Sequence, residues 1–132
     1  MKRLIFCLLL SGFLISGYGQ VDGKRVIKIA GIGTEQLIRG LLEAGYTIEK
    51  SQASMSIIIT HLKQIPQSDF LAQIKASIKD GNVMLSGEYV ESGKTQAPSP
   101  ISDNGDEGSP CNKSWNLLFA LARSFNKPME VL

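Results

Sequence analysis

Leu71-Ala72-Gln73-Ile74-Lys75-Ala76-Ser77-Ile78-Lys79-Asp80-Gly81-Asn82-Val83-Met84-Leu85-Ser86-Gly87-Glu88-Tyr89-Val90 is the stretch that decides the fold. Ala72, Ile74, Ala76 and Ile78 alternate strictly with Gln73, Lys75, Ser77 and Lys79. That period of two predicts an antiparallel strand with one buried and one solvated face. Asp80-Gly81 is a two-residue turn whose residue types tolerate the positive φ angles of a tight hairpin. Val83 to Val90 returns as the partner strand, with Val83, Leu85 and Tyr89 on one side. A hairpin that is apolar on one face needs a second layer to cover it.

The flanking segments supply that layer. Upstream, Val26-Ile27-Lys28-Ile29-Ala30 is rich in β-branched residues and predicts a strand. Gly31-Ile32-Gly33 makes a turn, Thr34 is a suitable N-cap, and Glu35 puts a carboxylate where the helix dipole favours it. Leu37, Ile38, Leu41 and Leu42 then recur at helical spacing. The helix runs from Glu35 to Ala44, with Gly45 as its C-terminal cap. Gly40 within it costs about 1 kcal/mol relative to Ala, which points to close packing against a sheet. A short strand starts at Tyr46. Another follows in which Met55, Ile57 and Ile59 alternate with Ser56, Ile58 and Thr60, one face being mostly buried; Pro66 ends that region.

Downstream, residues 91–113 hold Pro98, Pro100 and Pro110 among Gly, Ser, Asp and Asn, and predict a long loop. Ser114 then caps a second helix whose stripe is Trp115, Leu118, Leu121, Ala122 and Phe125; Lys127 and Pro128 end it, and Met129 to Leu132 adds an edge strand. The expected fold is α+β: a two-layer sandwich with both helices on one face of a mixed four- to five-stranded sheet.

Residues 1–19 predict a secretory signal peptide. Lys2 and Arg3 precede the apolar run Leu4 to Ile15, and Gly17-Tyr18-Gly19 supplies small residues for cleavage before Gln20. Cys7 lies inside the apolar run behind the bulky Phe6, which is no lipidation site. The mature protein is then residues 20–132, a single domain exported to a periplasm or the cell exterior, with no stable membrane anchor after cleavage. Of the 14 Lys and Arg, 12 remain in it against 12 acids. A neutral chain lacks the positive excess on which a nucleic-acid or membrane-surface binder depends.

Val26-Ile27-Lys28-Ile29, the helix with Leu37-Ile38 and Leu41-Leu42, Gly45-Tyr46-Thr47-Ile48-Glu49, Ile57-Ile58-Ile59, the Asp80-Gly81-Asn82-Val83 hairpin and the closing helix occur in an order that resembles a family. Arg25 to Lys127 is similar to the N-terminal domain of TolB, of the Tol–Pal system, and to domains of curli-secretion and related envelope lipoproteins. The resemblance implies a non-catalytic envelope domain that contacts other proteins.

Chemistry-bearing residues are sparse. Gly31-Ile32-Gly33 lacks the third glycine of a dinucleotide fingerprint, since Gln36 stands in its place, and no cofactor is expected. Asp103, Asp106 and Glu107 lack the spacing of a calcium loop and predict a solvated acidic turn, so no metal is expected. Asn112-Lys113-Ser114 is a glycosylation sequon of consequence only in a eukaryotic source. Cys111 is the lone cysteine of the mature chain. It is expected either to sit in the loop, open to an intermolecular disulfide with a second copy or a partner, or to pack as a small hydrophobe beneath Trp115. Two functional expectations result. One is a small exported, non-catalytic interaction or adaptor module with a protein partner in a bacterial envelope, binding through a sheet edge or the 91–113 loop. The alternative is a small exported hydrolase using His61 with a carboxylate of that loop.

Overall fold

The computed structural model describes residues 23–52, 56–94 and 96–132, so the leader and its cleavage site lie outside the described residues. Ten elements follow in the order β1 (Ile27–Ala30), α1 (Thr34–Glu43), β2 (Ile48–Gln52), β3 (Ile57–Thr60), β4 (Lys63–Gln64), β5 (Phe70–Lys79), β6 (Asn82–Glu91), β7 (Ser99–Pro100), α2 (Pro110–Arg123) and β8 (Met129–Val131).

The β5–β6 hairpin is the centre of the sheet, pairing in register from Phe70↔Glu91 to Lys79↔Asn82. Asp80 and Gly81 turn it with φ of 53° and 80°, the double left-handed geometry that matches the strand twist. The strand order is β2-β3-β5-β6-β1-β8, with β4 added to β5 and β7 to β6. Every pairing is antiparallel. The expected mixed sheet of four to five strands is therefore corrected to an antiparallel sheet of eight. A mixed sheet needs at least one pair of parallel neighbours. Here β1 and β2 do run the same way, but β6, β5 and β3 lie between them, so the parallel strands never touch.

Both helices cover the same face. Ile27, Ile29, Ile74, Val83 and Leu85 of the sheet share one core with Leu37 and Leu41 of α1 and Leu118, Leu121 and Ala122 of α2. Each large apolar side chain buried there stabilises the fold by roughly 1.5–3 kcal/mol. In α1 the N-cap is Gly33 rather than Thr34, with no side-chain cap. Leu42 points to solvent, 52% exposed. Gly40 packs closely, as expected, but against Phe125 beyond the end of α2 and not against the sheet.

Residues 91–113 are not one loop. β7 pairs with β6, Ile101 is fully buried, and its N–H donates to the Gly87 carbonyl at 3.0 Å. Asp103 and Lys24 join through two hydrogen bonds, one between their backbones and one from the Lys24 N–H to Oδ1 of Asp103. α2 starts earlier than expected because Ser109 is its N-cap, accepting from the Asn112 N–H at 3.1 Å, with Pro110 pre-set for the first turn. Ser114 is instead buried inside the helix, donating to the Pro110 carbonyl at 2.7 Å. α2 also ends earlier, at Arg123.

Candidate functional site

The alternation that sends Ile27, Ile74 and Leu85 into the core sends their neighbours to the opposite face of the sheet. Among the described residues no element covers that face. One register row across it reads Glu130, Lys28, Met84, Ser77 and Ile57 from β8 to β3. The next brings Ser86, Lys75 and Ile59 side by side. Val26, Ile57, Ile59 and Met84 thus converge, with Lys75, Ser77 and Ser86, on a shallow trough of about 400 Å³.

Charge surrounds this apolar strip without dominating it. Lys75 pairs with Glu88 at 3.3 Å and Lys28 with Glu130 at 3.8 Å. Half-exposed pairs of this kind contribute about 0–1 kcal/mol, so their effect here is mainly to neutralise the rim. Towards β2 the rim is hydrogen-bonded. Gln73 Nε2 donates to Glu49 Oε1 at 3.1 Å and to the Thr60 carbonyl at 2.9 Å, and the Thr47 hydroxyl meets His61 Nδ1 at 3.0 Å. The face thus mixes apolar side chains with Ser77, Ser86 and a Lys75 whose charge is paired.

Three isoleucines in a row, Ile57-Ile58-Ile59, are the sequence signal for this face. Ile58 faces the core with Thr60, which is also buried, while Ile57 and Ile59 stay half-exposed on the other side. Met84, on the wet side of an otherwise alternating strand, is the second signal.

The other singled-out residues fall elsewhere. His61 is exposed, with the Thr47 hydroxyl as its ring partner. Asp103 is engaged by Lys24, and Asp106 lies just ahead of α2, its carbonyl accepting from the Ser109 N–H at 2.9 Å. Among the described residues the His61 ring hydrogen-bonds to Thr47, not to a carboxylate of this segment. Among the described residues, no group of three His, Cys, Asp or Glu is placed to hold a metal. Ile32, between the two glycines of the first turn, is buried as a core residue. In the sequon, Asn112 Oδ1 caps the Gly108 N–H at 3.0 Å and Ser114 is buried.

Cys111 belongs to the first turn of α2, not to a loop. It is half-buried, and its thiol donates to the Ser102 carbonyl at 3.4 Å, with the Ser102 hydroxyl at 3.5 Å. Burial and the neighbouring Cys111 push the Tyr89 hydroxyl above its ordinary range, against a smaller lowering by Ser99. Across the helix layer, Tyr46 is buried beneath Lys63, whose Nζ lies 5.4 Å from the ring centroid, and burial raises its pKa too.

Among the described residues no helix is long and apolar enough to cross a membrane. The chain matches no protein-family model and no curated protein.

Proposed function

We propose that this protein is a small exported interaction or adaptor module without catalytic activity, and that it docks a protein partner of the bacterial cell envelope on the uncovered face of its sheet. The trough of Val26, Ile57, Ile59 and Met84 is the observation that carries this reading. Its apolar side chains come from β3, β6 and the residue before β1, with Ser77 and Lys75 of β5 between them; Lys75 is already paired with Glu88, so a partner would desolvate few unpaired charges. The surface differs from the sheet edge and the 91–113 segment expected at first. Part of that segment is engaged, Ser99–Pro100 with β6, Asp103 with Lys24 and Gly105 with α2, while residues 92–94 and 96–98 stay exposed.

Export rests on the leader read from residues 1–19, and delivery to a periplasm or the cell exterior follows from it. The similarity to TolB-type and curli-secretion domains is part of the same proposal and points the same way.

The test is capture of envelope proteins by tagged residues 20–132, in parallel with an Ile59→Glu variant. Ile59 is outside the core, so the variant should keep its circular dichroism and melting temperature while losing the captured partner. Equal capture by both forms would remove the trough from the proposal. Mass spectrometry of the exported form should find Gln20 at the N-terminus; an intact leader would overturn the export reading.

A further inference from the structure

We draw no further inference here: the strongest candidate, the cavity of about 220 Å³ between α2 and the turn joining α1 to β2, carries nothing because its one charged lining residue, Lys63, already lies over the Tyr46 ring and nothing in the structure points to a ligand.

Discussion

Phe125 meets α1 at Gly40 so closely that a β-carbon there would lie 2.5 Å from the ring's Cε1 and Cζ. The contact explains a helix-interior glycine that propensity alone disfavours by about 1 kcal/mol. Phe125 is itself buried, so the ring cannot swing into solvent at no cost. Gly40→Ala should therefore lower stability by about 1–3 kcal/mol, overpacking outweighing the gain in helix propensity. In a Phe125→Leu background the same change should cost much less. Urea unfolding of the four proteins in that cycle measures the coupling; additive effects would mean that the two residues do not meet.

Trp115 and Leu118 should rank in the reverse order of their sizes. Leu118 is fully buried, and Leu118→Ala should cost about 2–5 kcal/mol. Trp115 is half-buried on the shoulder of α2, its ring centroid 6.3 Å from that of Phe119, over which Arg123 lies at 5.8 Å. Trp115→Ala should cost roughly half of the 3–5 kcal/mol expected of a fully buried Trp. A larger loss for Trp115 than for Leu118 would contradict this arrangement.

The hairpin, both helices and their shared face were legible because each has a strong local period: two in Ala72 to Ile78, helical in Leu37 to Leu41 and Leu118 to Phe125. Two kinds of feature were not. Strand order depends on where the chain crosses after α1, and no local pattern states that β2 lies at the far side of the sheet from β1. The short strands β4 and β7 are set by pairing partners, Leu71 with Gln64 and Glu88 with Pro100, rather than by their own composition. The trough was not legible. Met55, Ile57 and Ile59 alternating with Ser56, Ile58 and Thr60 read as a strand with one buried face; that Ile57 and Ile59 lie on the uncovered side beside Val26 and Met84 follows only from the register of β1, β5 and β6.

Gly81 offers a test of backbone geometry free of packing. Its φ is 80°, and nothing lies within 4 Å of where a β-carbon would be. Gly81→Ala should thus cost only the left-handed backbone penalty, about 1–2 kcal/mol. Denaturant titration should show a lower midpoint with an unchanged slope. No loss of stability would mean that the turn adopts another geometry.

Tyr46 gives the fold an alkaline limit. Burial disfavours its phenolate, so the folded-state pKa lies above the ordinary value of 10.0. Well below pH 10.0 the ring is protonated both folded and unfolded, and it adds no pH dependence. Above that value the unfolded chain releases the proton first and binds fewer protons than the folded one. Stability must then fall with rising pH until the folded-state pKa is passed. Tyr89 acts in the same direction, so Tyr46→Phe should remove part of the alkaline slope and not all of it. Unfolding free energies measured across that range, beside the ultraviolet absorbance of tyrosinate, check this; an unchanged slope in the variant would mean that Tyr46 titrates freely.

Cys111 separates assembly through a disulfide from simple packing. Its thiol is directed inward, to the Ser102 carbonyl at 3.4 Å, and a β-carbon on Gly105 would lie 2.8 Å from its own Cβ, so residues 102–105 wrap the start of α2. To reach a second molecule the sulfur must leave that hydrogen bond, and the wrapping segment must shift. Folded protein should therefore react with a thiol reagent much more slowly than urea-unfolded protein, and should run mainly as a monomer on a non-reducing gel after mild oxidation. Asp103→Ala removes the side-chain acceptor that Lys24 uses to hold this segment, and should speed the labelling without unfolding the sheet. Rapid labelling of the folded wild type, with a covalent dimer as the main product, would restore the intermolecular disulfide as the role of Cys111.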